Sequence, residues 1–178
     1  RQLAERHPYL DLDRVGITGH SGGGFASTRA ILAHPDFYKV AVSGAGNHDQ
    51  LGYQSYWGEK YQGLPDSADD VEDTYGAQIN ARLAGNLKGK LLLITGDMDD
   101  NVHPALTLQV ANALIAANKD FDLLLLPNRN HRTSFRDPYV QRKIWDYFVR
   151  HLLGAEPPEG YRIRGPEEVP AVAEPSKG

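Results

Sequence analysis

The residues from Gly19 to Gly24 read Gly-His-Ser-Gly-Gly-Gly and contain the pattern G-x-S-x-G. Where this pattern joins a strand to a helix, a sharp turn holds the serine hydroxyl exposed above the sheet. Ser21 is therefore a candidate nucleophile, and Gly19 and Gly23 are required because side chains there would clash across the turn. The backbone N–H of Gly22 is a candidate donor to an oxyanion. This chemistry is acyl transfer through a serine.

A serine hydroxyl attacks a carbonyl only when a neighbouring base removes its proton. Enzymes with this turn supply an acid and then a histidine, in that order along the chain. Three carboxylates, Asp97, Asp99 and Asp100, follow the third predicted strand, and one histidine, His131, follows the fourth. We expect His131 to be the base of Ser21, while the residues themselves leave the choice among the three acids open.

Other chemistries fit these residues less well. A Walker loop ends in Gly-Lys-Ser/Thr and a dinucleotide fingerprint opens its turn with Gly-x-Gly, and the sequence has neither at this turn. It contains no H-E-x-x-H motif and no cysteine, so no metal is expected, and acyl transfer through a serine needs no cofactor. We expect the His20 side chain to point away from the base position, and His48 is a candidate site-lining residue.

The chemistry depends on strands and helices that bring these residues together. Short apolar runs predict strands at 14–18, 39–43, 91–95 and 121–126. Helical spacing of apolar residues predicts helices at 1–7, 25–33, 55–61, 73–83, 104–118 and 138–153. Alternation of the two predicts a mostly parallel α/β sheet, whose sites lie at the carboxyl ends of the strands.

Composition sets limits on the class of protein. The 178 residues are 40% hydrophobic and carry a net charge of −4, so no nucleic-acid partner is expected. No apolar run reaches the roughly 18 residues that a membrane span needs. We predict one folded unit at 1–154 and an extended, proline-rich tail at 155–178. The sequence starts without Met, in what reads as a helix, so we expect residue 1 to lie inside a longer protein.

Three segments together resemble a known family. They are the G-x-S-x-G-G turn, the Gly-Asp-Met-Asp-Asp-Asn-Val segment that starts at Gly96, and the Asn-x-Asn-His loop that ends at His131. With Tyr56–Pro65, they are similar to the catalytic domain of the prolyl oligopeptidase family, in its dipeptidyl-peptidase IV branch, over about residues 1 to 153. The resemblance implies an α/β-hydrolase fold, of which four strands form the second half.

The resemblance also implies a function and a set of site residues. It implies a serine peptidase that forms an acyl-enzyme and removes dipeptides after Pro or Ala, with an esterase, an acylaminoacyl peptidase or a silent structural fragment as alternatives. It assigns the catalytic acid to Asp99, a contact with the substrate carbonyl to Asn101, and an apolar pocket to Val102, Tyr53 and Trp57. Well-known members carry an aromatic residue where this chain has Gly22, so the pocket is expected to be more open and less strict for proline.

The resemblance implies further parts that the four strands do not supply. The family's second oxyanion donor, a tyrosine, lies in the first half of the fold, and its propeller holds the amino terminus of the substrate. The exposed edge of the strand at Val15–Thr18 favours a homodimer or completion by a preceding segment. Members of this branch are often periplasmic or extracellular in bacteria.

Overall fold

A computed structural model describes residues 1–163 of the chain, as four parallel strands flanked by helices. The sheet has the order β1-β2-β3-β4. Its strands are β1 (Gly16–His20), β2 (Val40–Gly44), β3 (Lys90–Gly96) and β4 (Asp122–Leu126). The helices are α1 (Gln2–Arg6), α2 (Gly22–Ala33), α3 (Ser55–Gln62), α4 (Ala68–Thr74), α5 (Ala105–Ala116), α6 (His131–Ser134) and α7 (Pro138–Phe148).

Each face of the sheet packs against its own layer of helices. Alternate residues of β3 point to opposite faces, so Leu91 and Leu93 join one apolar cluster and Leu92 and Ile94 join the other. The first cluster is completed by α2 and α5, and the second by α7. Burial on both faces explains why the central strands appear in the sequence as continuous apolar runs. The predicted α/β architecture is confirmed.

The predicted strands all lie within two residues of the observed ones, whereas one predicted helix is wrong. In place of a helix at 73–83, the chain has the end of α4 and two 3₁₀ segments, Gly76–Gln78 and Asn80–Asn86. Long-range hydrogen bonds hold this region. The Asn80 N–H donates to the carbonyl of His48, and its side-chain amide donates to the carbonyl of Phe25. Such tertiary contacts override local helical spacing.

Strand β1 forms one edge of the sheet, beside an apolar groove of about 820 Å³. Leu3, Leu10, Leu12 and Leu152 are among the residues that line this groove. At the other end of the chain, residues 155–163 are described without helix or strand, and the rest of the predicted tail lies outside the described residues. Within the described residues, the helices are too short or too polar to cross a membrane.

Candidate active site

Ser21 occupies the turn between β1 and α2 with φ 60° and ψ −121°. A positive φ is uncommon for a residue with a side chain and costs about 1–3 kcal/mol, so it persists only where the surrounding structure holds it. Here the Ser21 N–H donates to the carbonyl of Gly44 at 2.8 Å, and the Ser21 carbonyl accepts the Phe25 N–H at 2.9 Å. The turn therefore has the strained conformation of a nucleophile elbow.

Close backbone contacts explain the glycines of this turn. A Cβ on Gly19 would lie 2.5 Å from the carbonyl carbon and oxygen of Gly23, and one on Gly24 would lie 2.3 Å from the carbonyl oxygen of Gly44. A Cβ on Gly23 would meet no atom within 4 Å outside its own helix. The expectation for Gly19 is confirmed, because a Cβ on Gly19 would clash with the backbone of Gly23. The expectation for Gly23 is wrong, because a Cβ on Gly23 would not clash across the turn.

The Asp99 carboxylate contacts the imidazole of His131. Asp99 Oδ2 lies 2.8 Å from His131 Nδ1, while Asp99 Oδ1 accepts the N–H groups of Asn101 at 3.0 Å and Val102 at 2.8 Å. The Asp99 side chain is fully buried, and that of His131 is 13% exposed. A carboxylate in this position orients the ring and favours a proton on Nδ1, which leaves Nε2 as the basic nitrogen.

The other two carboxylates of the β3 loop have different surroundings. Asp97 Oδ1 accepts the N–H of Asn128 at 2.6 Å, and the Met98 N–H donates to the carbonyl of Arg129 at 3.2 Å. These bonds tie the loop after β4, which carries His131, to the loop after β3. Asp100 is exposed. Of the three acids, the structure brings Asp99, the one that the family resemblance implied, to the histidine.

His20 packs directly against His131, with ring centroids 4.5 Å apart, and its ring lies 5.2 Å from that of Phe135. The expectation that His20 points away from the base position is therefore wrong. Burial, followed by the charge of His131, lowers the pKa of His20 below its usual value. A neutral His20 places no competing cation beside the imidazole of His131, and its ring limits the positions that this imidazole can take.

Tyr53 and Asn101, two residues that the resemblance implies as substrate contacts, are joined by a hydrogen bond. The Tyr53 hydroxyl donates to Asn101 Oδ1 at 2.7 Å, and Gln54 Nε2 donates to the Asn101 carbonyl at 3.4 Å. Burial raises the pKa of Tyr53, so its hydroxyl keeps its proton. With Oδ1 engaged, the Asn101 amide presents Nδ2 as a donor. Val102 is buried at 1% exposure.

A pocket of about 350 Å³ lies beside Gly22. Trp57, which was predicted to contact substrate, forms part of its wall, and the nearest Trp57 ring carbon lies 3.4 Å from the place a Cβ on Gly22 would occupy. Side-chain amides also line the pocket, among them Asn47, Gln50 and Gln62. The sequence gives no signal for these amides, because residues 44–86 show no periodicity from which a pocket could be inferred.

Comparison with known proteins identifies the family. The model of the prolyl oligopeptidase family matches residues 1–155. The chain belongs to this family. It is 34% identical to human dipeptidyl peptidase 8 over 151 residues, which are 85% of the chain and 16% of that protein. It is 32% identical to mouse prolyl endopeptidase FAP over 126 residues, which are 71% of the chain and 17% of that protein.

Two solved structures of bacterial proteins share the fold. A putative dipeptidyl aminopeptidase IV from Bacteroides ovatus has a TM-score of 0.78 and 33% identity, covering 85% of this chain and 21% of that one. Dipeptidyl peptidase 4 from Porphyromonas gingivalis has a TM-score of 0.71 and 27% identity, covering 82% of this chain and 20% of that one. The chain therefore represents part of an α/β-hydrolase domain and spans about a fifth or less of these relatives.

In this member of the family, His48 supports the site without lining it. The ring is fully buried, and its Nδ1 accepts the Asn80 side-chain amide at 3.1 Å. Burial lowers the pKa of His48 to about 3, so the ring is neutral at ordinary pH. His48 therefore anchors the loop after β2 to the 3₁₀ segment at Asn80–Asn86 and belongs to the interior. Among the described residues, no cluster of three His, Asp or Glu side chains could hold a metal ion.

Proposed function

We propose that this chain carries the catalytic residues of a serine peptidase. The observation that supports this most directly is the buried contact of 2.8 Å between Asp99 and His131, beside a serine in a strained turn. The ring of His20, the residue before Ser21, lies 4.5 Å from that of His131, which supports a close approach of the proposed base to the proposed nucleophile.

In the proposed reaction, Ser21 Oγ attacks the carbonyl carbon of the scissile peptide bond, and His131 Nε2 accepts its proton. The Gly22 N–H donates to the oxyanion of the tetrahedral intermediate. His131 then protonates the leaving amine, the C–N bond breaks, and an acyl-enzyme remains on Ser21. Water, activated by the same imidazole, releases the acyl group as a carboxylate. Asp99 stays ionised throughout and stabilises the imidazolium.

The substrate is proposed to be a peptide, because several relatives are named dipeptidyl peptidases. Removal of dipeptides from an amino terminus is the corresponding proposal for the protein to which this chain belongs. Within the chain, we propose that Asn101 Nδ2 donates to a carbonyl of the substrate, and the hydrogen bond from the Tyr53 hydroxyl to Asn101 Oδ1 supports this role. This contact would position the peptide and leave the chemistry to the serine, histidine and aspartate.

Labelling with a fluorophosphonate tests this proposal. The purified chain, shown to be folded by circular dichroism, is treated with the probe, and the modified residue is found by intact mass and peptide mapping. We expect one adduct, on Ser21, that is lost in Ser21→Ala and His131→Ala. Substitutions of exposed residues of the same types, Ser55→Ala and His34→Ala, should label like the wild type. A folded chain that takes up no probe on Ser21 would contradict the proposal.

We also propose that two copies of the chain associate through the edge of β1. This edge lies beside the apolar groove, where Leu3 is 62% exposed and Leu10 is 41% exposed. An open strand edge beside exposed leucines favours pairing with another chain. Sedimentation equilibrium should give a dimer that Leu10→Asp weakens, while Leu108→Asp on the outer surface of α5 leaves it unchanged. A monomer at all concentrations would contradict this proposal.

A further inference from the structure

The pocket beside Gly22 contains buried amides that are locked in place. Asn47 is 2% exposed and Gln50 is 6% exposed. Asn47 Nδ2 donates to Gln50 Oε1 at 3.4 Å, and Gln50 Nε2 donates to the Asn47 carbonyl at 3.0 Å. Because the two side chains hold each other, they form a fixed polar wall instead of one that can turn away when a ligand enters.

Two side-chain amides of the pocket lining have an oxygen without a hydrogen-bond partner among the described residues. Asn47 Oδ1 and Gln62 Oε1 are buried, and neither has a hydrogen-bond partner among the described residues. Buried polar atoms are normally satisfied, and an acceptor without a partner in a pocket wall can be paired by an N–H donor of a bound ligand. Both side chains line the pocket. A ligand that matches the pocket therefore brings N–H groups.

The remaining walls favour a neutral, flat ligand. None of the described residues that line the pocket is charged, so a cation bound there would have no counter-ion. Lys60 Nζ already lies 5.2 Å from the centre of the Tyr61 ring and adds positive charge nearby. The rings of Trp57 and Tyr61, with centroids 4.4 Å apart, offer planar apolar surfaces. A carboxamide is planar, neutral and carries two N–H donors.

We propose that this pocket binds a glutamine or asparagine side chain of the substrate, on the residue whose carbonyl Ser21 attacks. The proposal rests on the proposed function, since Gly22, whose N–H would hold the oxyanion, is one of the residues that line the pocket, which puts the pocket next to that carbonyl. A proline ring has no N–H and would leave both acceptors unpaired. A site that hydrogen-bonds its ligand discriminates strongly against analogues that lack the donor.

Dipeptide diphenyl phosphonates test this specificity. In these probes Ser21 Oγ attacks phosphorus, His131 accepts the serine proton, and phenoxide leaves, so the rate of labelling depends on the side chain beside phosphorus. Probes with a glutamine, a proline or a lysine side chain at that position are compared on the 178-residue chain. We expect the glutamine probe to label Ser21 faster than the other two by about tenfold or more.

Two variants connect any preference to the pocket. Asn47→Leu and Gln62→Leu each remove one acceptor, and each should lower the ratio of the glutamine rate to the proline rate by about tenfold. Taking the ratio of the two rates within one variant cancels a general loss of activity. Gln62 is only half-buried, so its replacement is expected to destabilise the fold less than replacement of the buried Asn47. Gln109→Leu on the exposed face of α5 is the matched control and should keep the wild-type ratio.

The outcomes separate this inference from the proposed function. If a simple fluorophosphonate labels Ser21 while the proline or lysine probe reacts as fast as the glutamine probe, the amide specificity is wrong and the peptidase chemistry stands. An unchanged ratio in both leucine variants would also overturn the specificity. If no probe labels the folded chain, the proposed function fails together with the inference.

Discussion

Replacing Asp99 by asparagine changes one atom of the carboxylate and keeps its shape. In the wild type, Asp99 Oδ1 accepts two backbone N–H groups and Oδ2 faces His131 Nδ1 at 2.8 Å. In Asp99→Asn, the remaining oxygen can still accept both backbone groups. The new NH₂ group then faces Nδ1 and can only donate to it, so the imidazole must carry its proton on Nε2. That tautomer cannot take a proton from Ser21.

The expected cost follows from this geometry. Loss of the correct tautomer lowers the catalytic rate by about 10⁴-fold in serine enzymes, equivalent to about 5 kcal/mol in the activation free energy. The turn after β3 keeps its hydrogen bonds, and their change from charged to neutral costs about 1–2 kcal/mol in the free energy of unfolding. The assay is the second-order rate of fluorophosphonate labelling at Ser21, measured by intact mass, together with a urea unfolding curve.

Matched substitutions at the neighbouring acids complete this test. Asp97→Asn retains an oxygen that can accept the Asn128 N–H, and Asp100 is exposed, so both variants should label within about tenfold of the wild type. Labelling of Asp99→Asn within about tenfold of the wild type, or a large loss in Asp97→Asn or Asp100→Asn instead, would refute the role of Asp99. In either case the carboxylate that orients His131 would have been wrongly assigned.

Two further predictions concern the turn and the buried histidine. Gly19→Ala would place its Cβ 2.5 Å from the backbone of Gly23. We therefore expect a loss of about 1–3 kcal/mol in the free energy of unfolding and about 10²-fold slower labelling of Ser21. Wild-type values for both would contradict this prediction. The depressed pKa of His48, about 3 when folded, means that the unfolded state binds a proton near pH 6.5 while the folded state does not. The free energy of unfolding should therefore fall by about 2 kcal/mol between pH 7 and pH 5, as measured by urea titrations at the two pH values. The fall should be smaller in His48→Gln, whose side chain can still accept a hydrogen bond from Asn80. An equal fall in the wild type and in His48→Gln would show that His48 is not its cause.

The candidate nucleophile Ser21 and the sheet that carries it could be predicted from short stretches of sequence. The glycines around Ser21 mark a turn that few other residues allow, and the four apolar runs mark strands buried on both faces. These signals are local, because a turn or a strand is specified by a few consecutive residues. The order of serine, acid and histidine along the chain was predicted from the order found in enzymes with this turn.

The pocket and the surroundings of the histidine could not be predicted in this way. Asp97, Asp99 and Asp100 are the same residue type within four positions, and only the path of the turn decides which one reaches His131. His20 turns towards that ring, where Gly44 leaves space: a Cβ there would lie 2.4 Å from Phe135 and 3.4 Å from His20. The residues that make this space are far apart in the sequence.

The sequence by itself determined which serine is the candidate nucleophile, the turn that holds it and the parallel α/β sheet, because each depends on local patterns of glycine and apolar residues. It also determined the candidate base, because His131 is the histidine that follows the fourth apolar run. The tertiary structure brought Asp99, the acid that the family resemblance implied, into contact with His131, and it alone decided that His20 packs against the ring of His131 and that buried amides line the pocket beside Gly22. These features depend on side chains from separate loops meeting at one edge of the sheet. No local pattern encodes such a meeting.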